Sequence, residues 1–179
     1  MPRLKRLEKN EGEAKSQEMM NTLDGNGKLF NLFRGLANSP AALDSYLKLS
    51  GALNNAKLDA KAREAIALAV GQQSRCNYCL AAHTAIGKGA GMNDAAIKDA
   101  RLGRSQDRKT HAAVTLARAM VEKKGNVTEQ DVKAARDAGL GDAELAEIPA
   151  VVALNLMTNY FNLMNQTDVD FPKVAVDVA

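Results

Sequence analysis

Apolar positions in this chain recur every three or four residues and nowhere alternate for long, which is the pattern of helices rather than strands. Residues 13–23 predict a first helix, ended by the turn cluster Asp24-Gly25-Asn26-Gly27. Leu29, Phe30, Leu32, Phe33 and Leu36 predict a short apolar helix. Ser39-Pro40 then reads as an N-cap followed by proline at the first helical position, opening a helix with Leu43, Tyr46, Leu47 and Leu49. Asp59 caps a helix to about Gln73, and Asn93-Asp94 open a short one through Ala100. After a polar connection over 101–109, Ala113, Leu116, Ala117, Met120 and Val121 mark a core-facing helix that Gly125 ends. Thr128 with Asp131 opens another, closed by Gly139. Asp142 starts the last stretch, which Pro149 is expected to kink or restart. Its apolar stripe is Ala153, Met157, Tyr160, Phe161 and Met164. A second line, Asn155, Asn159, Asn162 and Gln166, reads as a solvated face or a polar seam between subunits. The expectation is an all-α, single-domain bundle of seven to eight helices over residues 1–179, with its core at about 31–165. Arg3-Lys5-Arg6 reads as a solvated arm and Asp168–Ala179 as an extended tail.

Composition agrees with that class. The 179 residues are 46% hydrophobic and only 4% aromatic, with four prolines and no tryptophan. Such a chain is neither disordered nor collagen-like, and it is long enough for a substantial core. Two cysteines rule out a disulfide scaffold. A net charge of +3, from 24 basic and 21 acidic residues, is too mild to argue for nucleic acid or an anionic membrane. The basic start is followed by Glu8-Lys9-Asn10-Glu11, where a signal peptide needs an apolar core. No apolar run nears the ~20 residues of a membrane span. A cytoplasmic location is therefore expected, where thiols stay reduced unless they do redox work.

The chemistry concentrates in residues 64–91. Both cysteines lie in one C-x-x-C, Cys76 and Cys79, after a polar turn and before a helix. Free backbone N–H groups and the helix dipole favour a thiolate there, and the i, i+3 spacing lets the two sulfurs close a disulfide. Nearby Arg75 adds positive charge. His83 follows Cys79 by one helical turn, within reach of its proton directly or through water. Glu64 sits at the start of a helix with no other polar residue from Ala65 to Gly71, where a carboxylate needs a partner. His83 on the next helix is the nearest in sequence, and the two make a plausible proton relay; Arg63, Arg75 or Lys88 are alternative ion-pair partners. Half of a zinc site is the main competing reading of the C-x-x-C. Zinc takes four ligands, and the only others are His83 and His111, the latter at the start of a separate helix, at the surface or an interface.

Glu64, eleven residues, then Cys76-x-x-Cys79-x-x-x-His83 resembles the signature of the AhpD-like alkylhydroperoxidases, within the carboxymuconolactone decarboxylase superfamily. The segment N-L-F-R-G-L-A-N-S-P-A-A-L-D-S-Y-L resembles the N-terminal helices of its peroxidase-related members. The resemblance implies a thiol-dependent peroxidase. Cys79 would attack the peroxide, and Cys76, the more exposed partner, would resolve it and exchange with a reducing protein. His83 and Glu64 would relay the proton. It implies no cofactor beyond the redox-active Cys76–Cys79 disulfide, a lipoyl-bearing or thioredoxin-like reducing partner, and a homo-oligomer, trimer or hexamer. The better-known peroxidase has a second histidine where this chain has Tyr78, a residue in a supporting position. Its hydroxyl can hydrogen-bond, but a pKa of about 10 keeps it from acting as a base at neutral pH. Two other functions use the same residues differently: a protein disulfide reductase or redox sensor, and the lactone chemistry of the decarboxylase branch, which generally lacks the cysteine pair.

Overall fold

Most helices begin where a short polar side chain takes up the first free backbone N–H groups. A computed structural model describes residues 1–178 and orders them as α1 (Ala14–Gly25), α2 (Asn31–Leu36), α3 (Pro40–Leu53), α4 (Ala60–Gln73), α5 (Asn77–Gly89), α6 (Asp94–Arg101), α7 (Arg108–Glu122), α8 (Glu129–Asp137) and α9 (Asp142–Asn165). Asp59, Asn93 and Asp107 accept the capping N–H of Ala62, Ala96 and Thr110 at 2.8, 2.8 and 2.7 Å. Thr128 and Asp131 form the expected reciprocal capping box.

The described residues thus hold nine helices, not seven to eight. The difference lies in the count alone: α2 and α6, of 6 and 8 residues, stand where short helices are expected, and each is held by its own buried side chains. Pro149 neither kinks α9 apart nor restarts it, for the helix runs unbroken over 24 residues. The proline ring is exposed, so the carbonyl it leaves without a donor can take water.

α4 is the centre of the bundle, packing on α5, α6, α7 and α9. It is buried all round from Ala65 to Gly71, as its uninterrupted apolar sequence requires. One core gathers Ile66, Leu68, Val114, Leu116, Ile148 and Val151 from α4, α7 and α9. A second gathers Met20, Leu36 and Leu43 with Phe33, Tyr78 and both cysteines, from α1–α3 and the start of α5. α2 lies close on α9 at Gly35, where a Cβ would stand 2.9 Å from the Phe161 ring.

Two surface expectations are corrected and a third is refined. The asparagine line of α9 is neither solvated nor left facing a second subunit: Asn155, Asn159 and Asn162 are buried inside the chain, joined by Asn165 rather than by exposed Gln166. The apolar stripe is divided: Met157 and Phe161 are half-buried against the second core, whereas Ala153, Tyr160 (63% exposed) and Met164 face outward, with Leu163 beside them. The basic arm is solvated as expected, with Arg3, Lys5 and Arg6 exposed, but it is tethered: the Arg3 and Leu4 N–H groups bond the Asn165 backbone and side-chain oxygens, both at 2.8 Å, and the Arg3 guanidinium bonds the Met164 carbonyl. These groups take up oxygens at the C-terminal end of α9.

Candidate functional site

The turn between α4 and α5 sets the site. Arg75 takes the left-handed conformation, φ 51°, and reverses the chain so that Cys76 becomes the N-cap of α5. The Cys76 sulfur accepts the Cys79 backbone N–H at 3.3 Å, as a capping oxygen would. The Cα atoms of the pair are 5.3 Å apart, and the two cysteines are joined as a disulfide.

The geometry divides the two cysteines. Both are shut in, Cys76 at 1% and Cys79 at 3% exposure, so Cys76 is not the more exposed of the pair. Its N-cap position packs it under α1–α3, within the second core. Cys79 instead lies on the wall of a cavity of about 690 Å³. Phe30, Phe33, Tyr46, Leu47 and Phe171 make that wall largely apolar, and Glu64, His83 and Asn162 join Cys79 among its polar groups. Lys28 and Arg63 add two cationic side chains.

The two residues expected to relay a proton lie in contact. His83 Nδ1 stands 2.8 Å from Glu64 Oε2 across the α4–α5 hairpin, with both side chains half-buried. That contact fixes one ring nitrogen and leaves Nε2 for the site. The alternative partners of Glu64 are engaged elsewhere: Arg75 pairs with Asp177, Lys88 with Asp94, and Arg63 bonds the Leu58 carbonyl. Arg75 is turned out to the C-terminal tail and does not face the sulfurs. His111 is exposed on α7 and remote from the cavity, its Nδ1 accepting the Ser105 N–H at 3.3 Å. Among the described residues no three His, Cys, Asp or Glu side chains gather as a metal site.

Tyr78 is buried and anchors the tail. Its hydroxyl donates to Asp170 Oδ2 at 2.6 Å, and Asp170 also accepts the Asn31 N–H at 2.9 Å. Burial, and then the Asp170 carboxylate, hold the phenol well above its ordinary pKa, so it stays a donor. The tail continues with Phe171 against Phe30, ring centroids 4.9 Å apart, and edge-on to Tyr78. Further on, Gln72 and Arg101 bond the Val176 carbonyl. Over residues 168–178 the tail is therefore extended, as expected (Ala179 lies outside the described residues), but it is strapped across the mouth of the hairpin and contributes Phe171 to the cavity.

Sequence reasoning missed Asn162 as a site residue. Its Nδ2 lies 3.5 Å from the Cys79 sulfur. The only sequence signal was the regular asparagine spacing on α9, which does not say which way the line faces.

Residues 40–122 match the carboxymuconolactone decarboxylase family, a span that holds all of Glu64, Cys76, Cys79 and His83. No curated protein matches the sequence. Several solved structures share the fold. A peroxidase-related protein with an alkylhydroperoxidase AhpD core from Ralstonia eutropha JMP134 is 20% identical, covering 94% of this chain and 92% of that one, with a TM-score of 0.84. A peroxidase-related protein from Silicibacter sp. TM1040 is 19% identical over 94% of each chain, with a TM-score of 0.79. The debrominase Bmp8, in complex with 2,3,4-tribromopyrrole, is 17% identical over 88% of this chain and 84% of that one, with a TM-score of 0.70.

Proposed function

For a chain whose residues 40–122 match the carboxymuconolactone decarboxylase family and whose fold is AhpD-like, we propose a thiol-dependent peroxidase acting on bulky organic hydroperoxides. One observation carries the reading: Cys79, His83 and Glu64 converge on the wall of a single, largely apolar cavity. In the reduced protein the Cys79 thiolate attacks the terminal peroxide oxygen. The S–O bond forms, the O–O bond breaks, and the departing alkoxide takes a proton from the His83–Glu64 pair. Cys76 then attacks the sulfenic acid, releasing water and closing the disulfide. Two electrons pass from the dithiol to the peroxide.

The apolar lining favours an organic substrate over hydrogen peroxide, which has no apolar surface to bury. Regeneration needs a dithiol donor, and the burial of the pair supports a slender one. A broad protein surface cannot reach Cys76 at 1% exposure, whereas a lipoyl arm or similar slender dithiol can enter the cavity and attack Cys79. The same burial weighs against a general protein disulfide reductase. Lactone chemistry gives no role to the buried cysteine pair.

Reduced protein mixed with cumene hydroperoxide and followed by intact mass tests the proposal. The expected result is rapid loss of two hydrogens, blocked in Cys79→Ser. Oxidation no faster than that of a free thiol would overturn it. The aromatic wall of Phe30, Phe33, Tyr46 and Phe171 supports a second substrate class, brominated aromatics, as a debrominase shares the fold. There the dithiol would give disulfide, the debrominated ring and hydrogen bromide, and the same assay with tribromopyrrole separates the two.

A further inference from the structure

We propose that Asn162 is a catalytic residue whose side-chain amide holds Cys79 in its thiolate form. The helix N-terminus does not serve Cys79 in the usual way. Cys76 is the N-cap, and its sulfur, not that of Cys79, receives the amide N–H of the first turn. Left to backbone donors alone, Cys76 would be the easier thiol to ionise, although it faces away from the cavity. Cys79 needs a donor of its own, and Asn162 Nδ2 lies 3.5 Å from its sulfur, reaching over from α9.

Two further observations point the same way. Asn162 is 4% exposed, and its Oδ1 is buried without a partner among the described residues. An amide half-satisfied in a core is unfavourable, and a leucine of similar size would avoid that cost. Moreover, α9 turns this polar line inward while Tyr160, Leu163 and Met164 stay exposed. Ile148, Val151 and Val152 make the buried face of α9 apolar in its first half, and from Asn155 onward the same face is polar. What the inward polarity provides is a fixed N–H donor beside a sulfur that carries negative charge once reduced, a contact stronger for the anion than for the neutral thiol.

The role builds on Cys79 as the attacking thiol, but its test does not use peroxide. Thiolate ultraviolet absorbance is followed against pH in the reduced Cys76→Ser protein, where Cys79 is the only thiol. Asn162→Leu and Asn162→Ala are each added to that background. Both are expected to raise the titration midpoint by about one pH unit, a roughly tenfold loss of thiolate at any pH well below it. The other groups on the cavity wall that carry or can take charge stay constant throughout: Glu64 and Arg63 from α4, His83 and Tyr78 from α5, Tyr46 from α3, and Lys28 before α2. Asn159→Leu is the control, because its amide donates to Ser74 rather than to a sulfur. An unchanged midpoint in the Asn162 variants, or an equal shift in Asn159→Leu, overturns the proposal. A shifted midpoint in a protein that hydroperoxide does not oxidise would leave the Asn162 role standing and remove the peroxidase.

Discussion

Glu64 shows how far a single residue can be read in the sequence. A carboxylate at the head of an otherwise apolar helix demanded a partner, and the partner proved to be the histidine one hairpin away, at 2.8 Å. Cys79 and His83 were legible for the same reason: fixed spacing on one helix puts side chains on one face. What could not be read was which cysteine the cavity reaches, because that depends on α1–α3 closing over Cys76 from elsewhere in the chain. If the pair relays the proton, Glu64→Gln keeps the shape of the contact and removes its charge. Peroxide-driven disulfide formation should then slow by about 100-fold, within the range for general acid–base assistance, as measured by quenched-flow mass spectrometry. Tyr78→Phe tests a different link. It strips the hydroxyl from Asp170 and from the Leu32 N–H, which should cost about 1–3 kcal/mol in urea unfolding and free the tail for proteolysis. The sign of its pH dependence is fixed by the raised phenol pKa. The hydroxyl's contribution is complete below the unfolded value of about 10 and is lost as pH rises above it, so Tyr78→Phe should flatten the alkaline fall in stability.

At the scale of the element, local chemistry was the most legible part of the chain. Asp59, Asn93 and Thr128 cap the helices they were expected to cap, because an N-cap is decided by one side chain and three backbone N–H groups next to it. The capping box of α8 makes this measurable. Thr128→Ala should destabilise the protein by about 1 kcal/mol in chemical denaturation. Asp131, its reciprocal partner, has its carboxyl lowered to about 2, first by its bond to Lys123 and then by the Thr128 N–H and hydroxyl. A depressed folded value means that the support is present above the ordinary carboxyl range and is lost as pH falls from about 4 toward 2. Asp131→Asn should remove that part of the acid transition, read as a smaller change in thermal midpoint between those pH values. α9 was the least legible element. Its two stripes, one of asparagines and one of apolar side chains, differ by half a turn of the helix. A rule that sends apolar residues inward misplaces the asparagines. The sulfur of Cys79 and the hydroxyl of Ser74, both from distant sequence, accept from Asn162 and Asn159, while Asn155 donates within its own helix to the Val151 carbonyl.

For the whole molecule, the outward residues of α9 have a consequence beyond the site. Ala153, Tyr160, Leu163 and Met164 recur at helical spacing, and all are exposed on one chain. Among the described residues no helix is long and apolar enough to cross a membrane, so this stripe is not part of a span. Among the described residues, neither the arm nor the tail covers it: the arm bonds the carbonyl end of α9, and the tail runs over α2, α5 and α6. A contiguous exposed apolar face of this kind is costly in water and marks a surface for association. A second copy of the chain carries the same stripe, and two such faces can meet across a symmetry axis with each helix burying the other's apolar residues. The expected result is therefore a homo-oligomer in light scattering at micromolar concentration. Tyr160→Glu combined with Met164→Glu should bring the mass down to that of one chain, because a carboxylate at either position would be buried without a partner in the assembly. Both side chains point away from Asn162 and the cavity, so the same variant should retain the thiolate titration of Cys79. If the unmodified chain already runs at the mass of one copy, the face does not bind a second one.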